Sequence, residues 1–386
     1  MNNSTGGQLL RIETSLKSIN KIAEIDIVSR NPRFQKNIKL NYLKKFKIYY
    51  APSITQVLSK NRLIKAFQSR IKEIFFLKND AKFIANLVRK KNYDCVWVSY
   101  ASQSYFLINE IKKIDKNIKI IADTDSVFYK FIEREMKYVN YVKKILISIY
   151  SLIYKYIEKK MIEISDITTA VSEFDKKIFE KFNLNKKIYI FRNSIEKKKI
   201  KKKTDNKKKI CNIIISGSFG AKTSPMNLSV DWFLRDIYPK LRKKNLNIKI
   251  YIVGMNSDKF LQKYNFDDKE IIATGWVKSI EDYFKIADLA VVPLLYESGT
   301  RFKILESALY KIPVISTSLG AEGLPLKNNK SIFLENDSTK FANKIISISK
   351  NKKLLSKVAT NSNKIVLKYF SENAQSDDAI KILKKL

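Results

Sequence analysis

Short, continuously apolar runs alternate with helical patterns along this 386-residue chain, and that alternation constrains the fold more than any other feature. The run ADLAVVPLL, residues 287 to 295, is apolar at every position after Asp288, which is what a strand covered on both faces requires. Strand-like runs at 24 to 28, 94 to 100, 118 to 122, 167 to 171 and 187 to 191 have helical patterns between them. The rhythm then repeats with CNIIISG, a helix around WFLRDIYPKLRKK, NIKIYIVG, IIATG, a helix around IEDYFKIAD, LAVVPLL and VIST. Such alternation predicts parallel sheets with helices on both sides, an α/β architecture built twice.

Between the two series lies EKKKIKKKTDNKKK, residues 196 to 209, with nine lysines and little that a core could hold. It reads as a self-repelling, exposed connector. We therefore expect a first domain over 1–196, a linker over 197–209, a second domain over 210–370 and a last helix over 371–386. A hydrophobic content of 45% over this length suffices for two separate cores.

The chain has no histidine, which excludes histidine-based zinc sites, Ser-His-Asp triads and Cys-His dyads. Its two cysteines, Cys95 and Cys211, fall in apolar runs far apart and are expected to be buried, reduced and structural. Lys and Arg number 75 against 37 Asp and Glu, a formal net charge of +38. That excess suits phosphate-rich partners or an anionic membrane surface; solvated faces in a chain rich in Lys, Asn and Ile account for it equally well. Zinc-finger spacing and aromatic RNA-binding patterns are missing, so no specific nucleic-acid binding is expected.

PLLYESGTRFKILESALYKIPVISTSLGAEG, residues 293 to 323, holds a strand end, a loop through Glu297, Ser298, Gly299 and Thr300, a short helix and a second strand. Phe302, Leu305, Ala308 and Leu309 recur at helical spacing. A helix thus begins at the carboxyl end of a parallel strand, where open α/β sheets bind ligands. Its unpaired N–H groups and positive dipole end, with Arg301 and Lys303 beside them, suit a diphosphate. Glu306, one turn inward, suits a ribose diol. An ordinary strand–helix–strand unit with a solvated Arg and Lys fits the same pattern.

On these residues the chain resembles the donor-binding signature of the group 1 glycosyltransferases, retaining enzymes of GT-B fold, and in particular a polysaccharide-building subgroup. The resemblance implies two Rossmann-like parallel-sheet domains facing a cleft, with the last helix crossing back to the first. It also implies a donor of the nucleotide-diphosphate-sugar class, no cofactor and no metal. Glu306 matches the glutamate that in this family holds the nucleotide ribose. Glu297 matches the sugar-facing glutamate counted from Pro293, although its spacing to Glu306 is one residue longer than usual; counted back from Glu306, that place falls on Ser298. Arg301, Lys303 and the helix dipole are then expected to stabilise the departing diphosphate.

Further positions follow from the same resemblance. Gly217, at the end of the first strand of the second half, and Lys222 match the loop that approaches the donor phosphates; Gly254 and Gly275 match loops beside the base. A plain surface lysine and ordinary turn glycines are the competing reading. Glu322, after the strand that follows the signature helix, is a further candidate. STGGQLLR, residues 4 to 11, matches the glycine-rich loop over the diphosphate, with Gly6 and Gly7 offering N–H groups and Arg11 opening a helix. The family places a strand just before that loop, whereas this sequence starts at the loop, so we expect either an upstream start or truncation. In ADTDS, residues 122 to 126, Asp123 and Asp125 stand where relatives face the reacting sugar, and Asp125 is the candidate acceptor-side base. Capping of the following helix by Asp125 or Ser126 explains the same residues.

KKILISIYSLIYKYIEKK, residues 143 to 160, contains ten consecutive uncharged residues between lysines. It is too short to span a bilayer, and fits either a membrane interface or a core helix. These readings combine into an expected cytoplasmic enzyme, with the inner face of the cell membrane as a second location. It is expected to move a sugar, with retention, from a nucleotide sugar to a saccharide or lipid-linked acceptor in surface glycan biosynthesis. A nucleotide-sugar epimerase or phosphorylase of GT-B fold, or a basic binding subunit with a decayed site, are the alternatives.

Overall fold

A computed structural model describes residues 7–30, 43, 45–52, 62–196, 211–220, 224–244, 247–264 and 269–386. Gly6, Lys222 and the lysine-rich connector lie outside the described residues. In chain order the elements are α1 (Gly7–Asn20), β1 (Ile27–Ser29), β2 (Ile48–Tyr50), α2 (Arg62–Lys91), β3 (Val96–Ser99), α3 (Tyr105–Ile114), β4 (Ile120–Asp123), α4 (Phe128–Glu135), α5 (Tyr141–Ile164), β5 (Ile167–Ala170), α6 (Glu173–Glu180) and β6 (Ile188–Ile190). They continue as β7 (Cys211–Ser216), α7 (Pro225–Trp232), α8 (Tyr238–Lys243), β8 (Ile248–Val253), α9 (Ser257–Leu261), β9 (Ile271–Ala273), α10 (Glu281–Ile286), β10 (Leu289–Val292), α11 (Phe302–Leu309), β11 (Val314–Ser316), β12 (Phe333–Leu334), α12 (Ser338–Ser349), α13 (Lys352–Tyr369) and α14 (Glu372–Leu383).

Contacts divide the chain into two units, one made of residues 1–133, 145–194 and 372–386, the other of 134–144 and 195–371. In the first unit β3, β4, β5 and β6 form a parallel sheet in chain order, and β1 pairs with β2 in a separate parallel ribbon. No described strand joins the two sheets. The strand expected at 24 to 28 begins only at Ile27, because the Asp26 carboxylate accepts the Lys47 N–H at 2.6 Å and so takes the place of a ladder bond. The last helix α14 belongs to this unit: Gln375 receives hydroxyl hydrogen bonds from Ser18 at 2.7 Å and Ser194 at 2.6 Å, and Asp378 pairs with Arg192 at 2.9 Å.

The second unit is a six-stranded parallel sheet in the order β12-β11-β10-β7-β8-β9. Ile213, Ile214 and Ile215 of β7 and the whole of β10 are buried, as continuous apolar runs require of strands covered on both faces. Between α7 and α8 the helix widens into a π turn over Phe233–Ile237. Pro239, which has no N–H and would clash with the preceding turn of an α-helix, accounts for the wider turn, while Phe233, Leu234 and Ile237 stay fully buried.

Cys95 and Cys211 are free and half-buried rather than fully enclosed. Burial is the main force pushing both thiols up, to about 11 and about 12, so neither is a thiolate at neutral pH. Among the described residues no helix is long and apolar enough to cross a membrane.

Candidate active site at the switch point of the second sheet

The chain runs β7, β8, β9 toward one edge of the second sheet, then returns to place β10 on the other side of β7. The strand order reverses between β7 and β10, and a crevice outside the carboxyl ends of such a pair is where open parallel sheets receive ligands. The two loops that frame it run from Gly217 after β7 and from Pro293 to Arg301 after β10.

The β10–α11 loop is held at successive backbone groups. Thr317 donates to the Leu294 carbonyl at 2.6 Å, Ser229 accepts from the Leu295 N–H at 3.2 Å, and Tyr138 donates to the Leu295 carbonyl at 3.1 Å. Arg134 donates to the Glu297 carbonyl at 2.6 Å and grips the Glu322 carboxylate at 2.7 Å. Tyr138 also stacks on Tyr296, with centroids 5.2 Å apart. Gly299 sits at φ +76°, a left-handed conformation that favours glycine. The loop is therefore fixed in place before any ligand arrives, the condition for precise binding or catalysis.

Arg301, expected beside a diphosphate, is only 3% exposed and turns inward. Its guanidinium donates to the Gly299 carbonyl and, at 3.3 Å, to the Leu319 carbonyl, so it braces the loop at the entrance of α11. Lys303 is the more available cation. Its amine rests 2.9 Å from the Met226 sulfur, a weak acceptor, and desolvation lowers its pKa to about 8, against the opposing pull of Glu297 and Glu306. Glu297, Ser298, Thr300 and Glu306 are all half-buried, with Glu297 and Glu306 both within electrostatic reach of Lys303.

Gly217, Gly254 and Gly275 meet one another through their loops. A side chain on Gly254 would lie 2.0 Å from the Gly217 carbonyl oxygen, and Gly254 itself adopts φ +140°. The Gly254 N–H donates to the Gly275 carbonyl at 3.2 Å, and the Gly275 N–H to Ser257 at 2.9 Å. The glycines are thus required by the packing of the β7, β8 and β9 loop ends. A side chain on Gly217 would strike Met226, the residue that supports Lys303, which ties the β7 loop to the same spot.

The first unit gathers a second polar cluster at the carboxyl end of β4. Arg11, nearly fully buried, pairs with Asp123 at 2.7 Å, donates to the Thr124 carbonyl at 3.0 Å and to Asn193, and lies over the Phe191 ring. Thr169 donates to the same Asp123 oxygen at 2.7 Å. Gly7, at the start of α1, is exposed. Asp125 is half-buried, and desolvation raises its pKa to about 6, with Arg11 pulling the other way. The following helix is not capped by Asp125 or Ser126. Instead the buried Glu158 of α5 accepts the Phe128 N–H at 2.9 Å and the Tyr129 N–H at 3.1 Å.

Arg134, Tyr138 and Met226 were not singled out from the sequence. They act over separations of up to 188 residues, and no local pattern marks them.

Residues 212–351 match the family described as Glycosyl transferases group 1. An uncharacterized 44.6 kDa protein in the cps region of Klebsiella pneumoniae is 26% identical over 159 residues; the matched stretch spans 39% of this chain and 40% of that protein's length. A glycosyltransferase from Rickettsia africae ESF-5 superposes with a TM-score of 0.68 at 17% identity, covering 99% of this chain and 95% of the other. Anabaena Alr3699/HepE in complex with UDP and glucose superposes at 0.63 with 10% identity, covering 100% and 98%. The two parallel-sheet units are the GT-B fold of these structures.

Proposed function

From a group 1 glycosyl transferase match over residues 212–351 and a GT-B fold, we propose that this protein transfers a sugar from a nucleotide-diphosphate sugar to a saccharide or lipid-linked acceptor, with retention at the anomeric carbon. The observation that carries the reading is the placement of Lys303. A desolvated amine with a pKa of about 8 stands beside the switch-point crevice, supported among the described residues by a thioether and two carboxylates. A cation so held gains most when an anion arrives.

In this reading the diphosphate takes Lys303 and the N–H groups of Ser298, Gly299 and Thr300, while Arg301 keeps that loop in shape. Glu306 holds the ribose and Glu297 the donor sugar. The leaving diphosphate oxygen assists removal of the acceptor proton, and Lys303 stabilises the charge that develops there. Asp125, with its raised pKa, is the acceptor-side base. Neither metal nor cofactor takes part. The kinship with a protein of the Klebsiella pneumoniae cps region supports a place in polysaccharide biosynthesis; the location proposed with it is the cytoplasm, at the inner face of the membrane.

Thermal unfolding in the presence of UDP, GDP, ADP or CMP tests this. A matched nucleotide at 100 times its dissociation constant adds ~2.7 kcal/mol of stability, and Lys303→Met should abolish the gain. A gain that survives in Lys303→Met, or no response to any nucleotide, overturns the assignment. Retention is read from the anomeric configuration of the product by NMR.

A further inference from the structure

Helix α5 carries apolar side chains on both its inward and its outward face. Its inward face buries Ile157, Met161 and Ile162 together with Ser151 and Glu158, with Ser151 donating to the Tyr129 carbonyl at 3.3 Å and Ser102 donating to Glu158 at 2.7 Å. Its outward face presents Ile145, Leu146, Ile149, Leu152, Ile153 and Tyr156, and Leu146, Leu152 and Tyr156 are 63%, 66% and 60% exposed. These positions recur at three- and four-residue intervals, so the side chains adjoin along one stripe. Single exposed apolar residues are ordinary, whereas a contiguous stripe marks a surface that meets something.

Charge decides what it meets. Residues 141 to 157 include Lys143, Lys144 and Lys155 and no carboxylate, and all three lysines are exposed. Lys159 and Lys160 follow at the helix end, half-buried. Two copies of this face pressed together would bring rims of one sign into contact, on chains that each carry +38. An anionic bilayer offers both what the stripe lacks and what the rim seeks: acyl chains for the apolar side chains and phosphate headgroups for the lysines, whose stems reach outward from apolar surface.

We propose that the outward face of α5 is a membrane-docking surface that lies flat in the headgroup region of an anionic bilayer. The proposal deepens the membrane location given under the function above, yet needs no turnover. Co-sedimentation of the full chain with phosphatidylcholine vesicles, with and without phosphatidylglycerol, reads it directly. We expect binding that requires phosphatidylglycerol and weakens with salt, and a drop of at least tenfold in Ile149→Glu/Ile153→Glu. Both positions are exposed, and circular dichroism checks the fold of the variant. Lys143→Gln/Lys155→Gln should reduce the salt dependence. As a second measurement, an environment-sensitive dye on Leu152→Cys should shift to the blue on anionic vesicles and not on neutral ones.

Vesicle binding unchanged in the double variant, or a dye that does not respond, overturns the proposal. So does a wild-type dimer that ignores vesicles and dissociates on Ile149→Glu/Ile153→Glu, since that would make a second copy the occupant. A protein that binds vesicles but no nucleotide would sink the transferase reading and leave this one standing.

Discussion

Replacing Lys303 by methionine should make the ligand-free protein more stable and useless for binding nucleotide. Desolvation moves the Lys303 pKa from 10.5 to about 8, and each unit corresponds to ~1.36 kcal/mol. The folded state therefore holds this ammonium at a penalty near 3 kcal/mol at neutral pH, reduced to about 2 kcal/mol by the partial exposure of the residue. The folded pKa lies below the unfolded one, so between about pH 8 and pH 10.5 the unfolded chain binds more protons. Stability conferred by the wild-type lysine rises across that window. Methionine packs against Met226 without any charge to desolvate. We expect Lys303→Met to gain about 2 kcal/mol at pH 7 in urea unfolding, with the gap to wild type closing as the pH approaches 10.5. A variant no more stable than wild type at pH 7, or a gap that ignores pH, would refute the idea that a strained cation waits at the switch point.

Three other changes probe the scaffold. Arg134→Ala removes one charge-assisted bond to the loop before α11, at the Glu297 carbonyl, and the ion pair with Glu322 beyond β11; it should lower nucleotide affinity about 5- to 30-fold through a loss of ~1–2 kcal/mol, with Arg134→Lys recovering part of it; titration calorimetry decides. Gly254→Ala forces a side chain to within 2.0 Å of the Gly217 oxygen at φ +140°, and should destabilise by ~3 kcal/mol or prevent soluble expression, as seen in unfolding curves. Glu158 is raised by burial from 4.5 to about 7, so the stability it gives is complete below pH 4.5 and lost as the pH climbs through 7. Glu158→Gln should flatten wild-type pH dependence by ~3 kcal/mol between about pH 5 and pH 8; an unchanged slope would contradict the shift.

Five strands of the second unit, β7, β8, β9, β10 and β11, stand where the sequence places apolar or β-branched runs, whereas the two-residue β12 (Phe333–Leu334) is too short to leave such a run and was not expected. The loop from Glu297 to Thr300 and the helix from Phe302 were readable as well. Side-chain direction was not. Arg301 and Lys303 look alike in the sequence, and only the packing of Leu319 and Met226 turns one inward and leaves the other at the crevice. Arg134 went unnoticed in the sequence, since its contacts with Glu297 and Glu322 span 163 and 188 residues and leave no periodic trace. Gly217 and Gly254 were visible as candidate loop positions, but what demands glycine there, the Met226 side chain at one and the Gly217 carbonyl at the other, was not.

The partition of the chain has a practical consequence. Passing between units at residues 133/134, 144/145, 194/195 and 371/372, it cannot be dissected by a single cut. Cleaving at the lysine-rich stretch would leave the upstream fragment without α14, whose Gln375 and Asp378 tie it to Ser18, Ser194 and Arg192. The downstream fragment would lack Arg134 and Tyr138, which hold the Glu297 loop. Swapping halves with a relative to graft a new donor preference would have to carry residues 134–144 along with the recipient's second unit, and return α14 to the first.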